Sequence, residues 1–499
     1  MLIKSWLRGP WWDDAGVKHD GPVEGKLLPT DNPKHLGIIG IVDCVVGSAV
    51  GQGFTQRGIP LYLCYPLRVD YPPFLVAVKE KYTSPPIVSL NLEHWNDKWP
   101  RGGIQRVLGF VGDAAVEREA VIRSVQLPRS KEVVDCVAEP AGYDTSDWDM
   151  VLNIDPDGCK DVDDILCWRL LANGSTEFAI GIADVSAFVT DGSVLDLEAR
   201  ARASTLYDNG EAVDPMFPTY LSAGSASLLA DDVARPVLAL VFTLLGGEVM
   251  FTRWERIVTK VHAAYTYDTI MKSEHVPFIR KSISAVIGYD VGGDSHVWIE
   301  TVMVLYNTAA AEMLRDKKVG MLRVHSGVQL AQWTGLAAAT GCKELAWFGS
   351  SGGVYVDAAA GPKELRHAGL GKSVYCHITS PLRRYADLVN QRWLKHILFG
   401  TAQPVDEVSA ELLNARCLAL KSCERLLWFL RNIDVRAITT VEGFVVTNGN
   451  GGTKVYCPTI RRCLRGPLSE FTVSQKVTCR IFCDMKACTL AERYVVQLL

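Results

Sequence analysis

Five aspartates fall within the ten residues DPDGCKDVDD, from Asp155 to Asp164. Confining so many like charges to one loop costs on the order of several kcal/mol unless cations compensate, so the natural occupant is a metal ion. Carboxylate oxygens are hard donors that suit Mg²⁺, with Mn²⁺ as a substitute, and Mg²⁺ is usually held by one or two carboxylates plus waters and a substrate phosphate. An EF-hand calcium loop does not fit. It needs Gly at its sixth position and Glu at its twelfth, where counting from Asp155 gives Lys160 and Leu166. A solvated Asp-rich turn is the bland alternative for this stretch taken alone.

A second segment, YCHITSPLRRYADLVNQR from Tyr375 to Arg392, makes that alternative weaker. Ser380 as N-cap, Pro381 at the first helical position and an apolar face of Leu382, Tyr385, Val389 and Trp393 predict a helix. Arg383 and Arg384 then occupy its first turn, where the helix dipole disfavours cations, so the pair asks for an anion. A phosphodiester would satisfy both. A structural carboxylate such as Asp387 is expected to take one of the two.

Something must position these segments. Roughly residues 145 to 400 mix strands (Phe178 to Ser186, Val237 to Leu244) with helices (Val194 to Tyr207, Val297 to Leu314, Leu382 to Leu398), as an α+β core does. Before it, residues 36 to 130 read as all-β, because apolar runs such as Ile38 to Val46, Leu61 to Tyr65 and Phe74 to Val78 are separated by Gly and Pro. After it comes a long helix, Val405 to Val435. The pattern then turns β again: Gly443 to Thr447 and Lys454 to Cys457 flank a turn, and Lys476 to Cys483 alternates apolar with polar, which suits a second small barrel. The expected organisation is an N-terminal extension (1–35), a barrel (36–140), a central α+β domain (141–436) and a C-terminal barrel (437–499).

Composition agrees with several folded domains, since 499 residues at 48% hydrophobic and 22% charged exceed one ordinary core of about 150 residues. The opening MLIKSWLRGPWWDD has no apolar leader, and no stretch approaches the ~18 apolar residues that cross a bilayer. An intracellular chain, cytoplasmic or nuclear and without membrane contact, is therefore expected. None of the 14 cysteines forms a Cys-x-x-Cys pair, and Cys479 and Cys483 alternate with Val477 and Ile481 as core thiols on a strand do. Net charge is −4, yet from Ala437 to Leu499 eight Lys or Arg face four acids, a basic module on an acidic body.

Taken together, the acidic loop, EFAIGIADVSAFV, ARASTLYDNG, PMFPTYLS and HITSPLRRYADL resemble, in order and spacing, the catalytic domain of the ribonuclease II/R (RNB) family. NLEHWNDKWPRGG with LGFVGDAAVE resembles the cold-shock barrel that precedes that domain in the exosome-associated branch, and SEFTVSQKVTCRIFCDM the closing strands of its S1-like RNA-binding barrel. Nothing resembles that branch's endonuclease domain. The resemblance implies a mixed α/β catalytic domain flanked by OB-type barrels, with Asp155, Asp161, Asp163 and Asp164 organising Mg²⁺ and the attacking water. It implies Arg383 as the phosphate-binding arginine, with Arg384 beside it, and Tyr207 as the tyrosine at the scissile 3′ nucleotide. Glu300 matches the first of two adjacent glutamates, the second being Thr301 here. The stretch from Tyr265 to Glu300 is shorter than the family norm, and Phe278 is the one candidate in it for an aromatic opposite Tyr207.

These readings converge on a Mg²⁺-dependent 3′-to-5′ exoribonuclease, acting as a monomer on single-stranded RNA and releasing nucleoside 5′-monophosphates; nothing in the sequence indicates a larger RNA-decay complex. The rivals are a catalytically impaired RNA-binding protein of the same fold, favoured by Thr301 and the shortened segment, and a metal-dependent phosphatase, which leaves the barrels unexplained.

Overall fold

The computed structural model describes residues 37–499 apart from 48, 69–70, 96–97, 128, 130–141, 326–329, 349–351, 362–364, 405–407 and 450–451, and four short strands before residue 37. The chain divides into two compact units, one of Met1–Leu127, Ala331–Phe348 and Ala419–Leu499, the other of Pro128–Leu330 and Gly349–Leu418.

In the first unit, β1 (Leu2–Trp6) pairs with β4 (Pro22–Lys26), and β2 (Trp11–Trp12) with β3 (Lys18–His19). Then β5 (Ile38–Val42), β6 (Leu61–Pro66), β7 (Phe74–Ala77), β8 (Pro86–His94) and β9 (Arg101–Phe110) close into a barrel in the order β5-β6-β7-β9-β8. Ile38, Val42, Tyr62, Cys64, Phe74, Val76, Val88 and Leu90 fill its interior, from strands whose inward residues alternate with outward ones. The expected all-β stretch also holds a helix, α1 (Ala114–Val125), whose N-cap Asp113 accepts from the amides of Ala115 and Val116. Tertiary context supplies its reason to form: Glu117, inside the helix, is buried against buried Arg493 at 3.1 Å and also accepts from Gly112 N at 2.8 Å.

The second unit is built on β10 (Met150–Ile154), β11 (Asp164–Leu170), β12 (Thr176–Ala183), the hairpin β13 (Leu206–Asp208) with β14 (Glu211–Asp214), β15 (Arg235–Leu245), β16 (Glu248–Thr259) and β17 (Ala263–Tyr265). Six of these form a sheet, β16-β15-β12-β11-β10-β17, antiparallel except for β10 with β17. Alternate residues enter different cores: Phe178, Ile180, Leu238 and Leu240 on one face, Ala179, Ala183, Val237 and Ala239 on the other. A sheet covered on both faces needs near-continuous apolar strands, which is how FAIGIA and VLALVF read. One face takes α4 (Val276–Ile287) and α5 (Ser295–Lys317), preceded by the short α3 (Tyr267–Ile270); the other takes α2 (Val194–Arg202) and much of α8 (Tyr385–Phe399). A two-stranded pair, β18 (Met321–Val324) with β19 (Val354–Asp357), completes the unit. In sequence, α6 (Leu330–Thr340) and α7 (Leu345–Phe348) fall between these two strands but belong to the first unit from Ala331 on.

The first unit resumes within α9 (Ala410–Arg431), at Ala419, and continues with β20 (Thr439–Gly449), β21 (Gly452–Cys457), β22 (Arg462–Gly466), β23 (Lys476–Cys483), α10 (Leu490–Arg493) and β24 (Tyr494–Leu498). The strand order β22-β21-β20-β23-β24 is that of an OB-type module, with its closure left open between β22 and β24. Gly466 nevertheless packs against Leu498, whose side chain stands 2.8 Å from where a Cβ would sit. Gly112, between β9 and α1, faces Met485 of this module and holds φ +94°, a left-handed conformation that favours glycine. Leu336 and Leu345 cover Val446 and Tyr456 on the outer face of the C-terminal sheet.

Candidate active site

Asp155 follows β10 and Asp164 opens β11, so the acidic stretch is the loop joining two neighbouring strands at one end of the sheet. Its backbone is tied down from several sides. Asp155 N donates to Tyr265 O at 3.0 Å, Ala183 N to Asp163 O at 2.8 Å, and Val162 N to Ser227 Oγ at 2.9 Å. Val162 is buried in the core between the two aspartates that flank it. Gly158, at φ +75°, gives the turn that Pro156 and Asp157 begin, with Cys159 N donating to Pro156 O at 3.1 Å.

Asp163 is 3% exposed, and both of its oxygens are engaged. Oδ1 accepts from Leu382 N and Oδ2 from Arg383 Nε, each at 3.0 Å. Asp161 Oδ2 accepts from the Tyr207 hydroxyl. The Cys159 thiol also reaches Asp161, 3.7 Å from Oδ1. Asp155 Oδ2 is buried without a hydrogen-bond partner. Burial pushes Asp155 up to about 6 and Asp163 up to about 7, and it lifts Asp164 well above the usual carboxylate range with neighbouring Asp155 and Asp163 adding to the effect.

The arginines sit where the sequence puts them, but not on the expected helix. Residues 380–384 form a turn, and α8 begins only at Tyr385, with Arg384 at the N-cap in an extended conformation. The cause is a long-range ladder. Thr205 N donates to Arg383 O at 3.0 Å, Tyr385 N to Ala203 O at 2.9 Å, and Ser204 Oγ to Arg383 O at 2.9 Å, with Ser204 bridged to Arg384. These contacts override the Ser380 and Pro381 start signals. The same ladder stops α2 at Arg202, leaves Ala203 at φ 61° and puts Tyr207 on β13 rather than at a helix end.

Arg384 is committed to Asp387, as expected of one member of the pair: its Nη2 lies 2.7 Å from Asp387 Oδ1, which also accepts from Ser380 N at 2.7 Å. Asp387 is fully buried. Arg383 is the more accessible arginine, with its side chain 44% exposed and a further bond from Nη2 to Ser380 Oγ at 3.2 Å. Nearby Asp163, Tyr207 and Asp161 hold its charge firmly in place, outweighing burial.

The structure does not bring in every expected residue. Glu300 is exposed on α5 and makes no hydrogen bond or ion pair among the described residues. Phe278 packs on Trp168, ring centroids 4.8 Å apart, within an aromatic cluster shared with His275. One residue escaped the sequence reading. Tyr267 stacks on His296 with centroids 3.9 Å apart, and burial followed by the charges of Asp164 and Asp155 raises its hydroxyl, so it stands close to the acidic loop. Its only sequence signal was its place just after a strand next to β10.

Among the described residues, no three His, Cys, Asp or Glu side chains converge as a ready-made metal cage. The donors nonetheless fit a hard divalent ion: four carboxylates on one loop, one buried oxygen unpartnered, and a burial penalty that a cation would relieve. Among the described residues, no helix is long and apolar enough to cross a membrane.

Known proteins resemble the chain in sequence and in fold. The model of the RNB domain matches residues 143–275 and 271–400. The probable exosome complex exonuclease RRP44 of Caenorhabditis elegans is 24% identical over 522 residues, covering 81% of this chain and 53% of that protein. Exoribonuclease 2 of Escherichia coli is 26% identical over 351 residues, 54% of this chain and 53% of its own. The chain thus spans about half the length of these curated relatives. In fold it is similar to Mycoplasma genitalium RNase R solved with ribose-methylated single-stranded RNA (TM-score 0.72, 17% identity, 100% of this chain and 94% of that one). It is also similar to yeast Ssd1, described as a pseudonuclease (TM-score 0.68, 16% identity, 93% and 70%).

Proposed function

The chain belongs to the RNB family, and we propose that it is a Mg²⁺-dependent 3′-to-5′ exoribonuclease that hydrolyses single-stranded RNA to nucleoside 5′-monophosphates. The observation that carries this is the meeting, from segments some 220 residues apart, of the aspartate loop with Arg383 on Asp163, while Tyr207 reaches Asp161 from a third segment.

In this reading Asp155, Asp161, Asp163 and Asp164 hold the ion and orient the attacking water. A bound Mg²⁺ would supply Lewis acidity toward the phosphoryl oxygen and a water of lowered pKa. Arg383 offers its exposed guanidinium edge as a charge-assisted, potentially bidentate donor to the non-bridging oxygens, stabilising charge that develops as the P–O bond to the leaving 3′-oxygen breaks. Arg384 and Asp387 hold the turn that presents Arg383. Tyr207 and Tyr267 provide ring faces near the loop on which a terminal nucleotide can pack.

Ser227 and Val162 fix the loop from behind, so the carboxylates are aimed by the sheet rather than by solvent.

The second reading is an RNA-binding protein of this fold without hydrolysis, which the exposed Glu300 beside Thr301 and the likeness to a pseudonuclease favour. One assay separates the two. With 5′-labelled single-stranded RNA, Mg²⁺ should give a ladder shortening from the 3′ end and EDTA should abolish it; tight binding with intact RNA in Mg²⁺ would select the non-catalytic reading.

A further inference from the structure

Without metal, one carboxylate of the loop, Asp163, already has a cation beside it. Both Asp163 oxygens accept protein donors, and the carboxylate is nearly inaccessible to water. Arg383 Nε takes one lone-pair direction of Oδ2 and Leu382 N one of Oδ1, so a divalent ion bound by Asp163 would have to share the carboxylate with a guanidinium already bonded to it. The two cations therefore compete for one carboxylate. Arg383 is also the partner best able to leave. Its backbone is clamped by the ladder to Ala203, Ser204 and Thr205, and its turn is held by Asp387, but its side chain is nearly half exposed. Leaving Asp163 would cost the guanidinium only its bonds to Asp163 and Ser380 Oγ, and the backbone ladder that holds the residue depends on neither.

We infer that Arg383 is the resident counter-ion of Asp163 in the metal-free protein, and that metal loading releases it to the RNA phosphate. Metal binding then precedes productive RNA binding: until Asp163 is claimed by the ion, the phosphate-binding group is committed to a carboxylate. This rests on the assignment of the aspartates as metal ligands and of Arg383 as phosphate ligand.

The test is binding rather than turnover. A labelled, ribose-methylated single-stranded oligonucleotide is titrated by fluorescence anisotropy at pH 8 against wild type, Arg383→Ala, Asp163→Asn and the double variant, each in EDTA and in Mn²⁺. A charge-assisted bond to phosphate predicts that Arg383→Ala weakens binding about tenfold in Mn²⁺. In EDTA the same substitution should have almost no effect. Asp163→Asn should tighten binding in EDTA several-fold by freeing the arginine, and that gain should vanish in the double variant. An equal loss for Arg383→Ala with and without metal would overturn the inference, as would a gain from Asp163→Asn that persists without Arg383. Should Arg383→Ala fold poorly, Arg383→Lys and the Asp163→Asn arm in EDTA still decide it. Calorimetry with Mn²⁺ alone isolates the underlying assignment: no Mn²⁺ binding to wild type would sink the metal-dependent reading, whereas Mn²⁺ binding with metal-independent Arg383 effects would sink only the exchange.

Discussion

Asp163→Asn tests the proposed chemistry most sharply, because its structural and catalytic consequences differ in size. The native carboxylate accepts from Leu382 N and Arg383 Nε, both at 3.0 Å. An asparagine offers one acceptor oxygen and a donor NH₂, so one of these donors must face another donor. Losing a charge-assisted bond costs about 1.5–3 kcal/mol. Offsetting this, the substitution removes a buried carboxylate whose pKa burial pushes up to about 7. The net should be no more than about 2 kcal/mol, a fall of under about 8 °C for a unit of this size. The catalytic cost is larger: removing a metal-organising charge should cost several kcal/mol, which at about 1.36 kcal/mol per decade is near 10³-fold. Single-turnover decay of 5′-labelled RNA in saturating Mg²⁺ reads the rate, and binding measured in Mg²⁺ should stay within a few-fold. Retention of more than about a tenth of wild-type turnover would refute the role of Asp163, whatever the melting temperature does.

Tyr207→Ala should leave a folded protein that still degrades long RNA but stops at an oligonucleotide of different length, since a stacked base is worth about 1–3 kcal/mol; a large fall in melting temperature with an unchanged end product would make Tyr207 a packing residue only. Asp155 and Asp163 are raised to about 6 and 7, so the folded metal-free protein keeps protons that the unfolded chain has already released. Their contribution to stability is fully present below about pH 4 and lost as pH rises through 6 and 7. The EDTA-treated protein should therefore melt lower at pH 8 than at pH 5, with Mg²⁺ removing the difference, and a melting temperature that climbs over that range in EDTA would contradict the picture. Lys454 and Arg465 stand directly opposite each other across β21 and β22, and neither enters an ion pair among the described residues. Like charges so placed favour an anion, and Lys454→Ala with Arg465→Ala should cut the slope of log K against log salt by roughly 1.4 for single-stranded RNA; an unchanged slope would show that this row faces away from the nucleic acid.

The central sheet was legible because burial on both faces leaves a signature that needs no long-range information. FAIGIA and VLALVF are apolar at odd and even positions alike, and each parity feeds a different core. Helix α1 has a local start signal, Asp113 ahead of the helix formers Ala114 to Ala120, and it is its interior that depends on distant residues. Its stretch carries a charged residue, Glu117, that is buried only because Arg493, far along the chain, is there to pair with it. For the same reason one of the basic residues of the C-terminal module, Arg493, is enclosed and paired with Glu117 rather than offered to solvent.

At the candidate site, residue types were legible and backbone geometry was not. Ser380 and Pro381 carry genuine helix-start chemistry, and in isolation they would place Arg383 and Arg384 on the first turn. The ladder to residues 203–205 forces an extended Arg384 instead, and this decides which arginine faces the acidic loop. On a helix the two would point about 100° apart, each needing its own partner. On the observed turn Arg384 folds back to Asp387, which also caps Ser380, and Arg383 is left at Asp163. The ladder that breaks the helix also carries, two residues further on, Tyr207 against Asp161. One short stretch of backbone pairing thus delivers the arginine and the tyrosine to the same loop, so a change that loosens it, at Ser204 or Asp387, disturbs both at once rather than either alone.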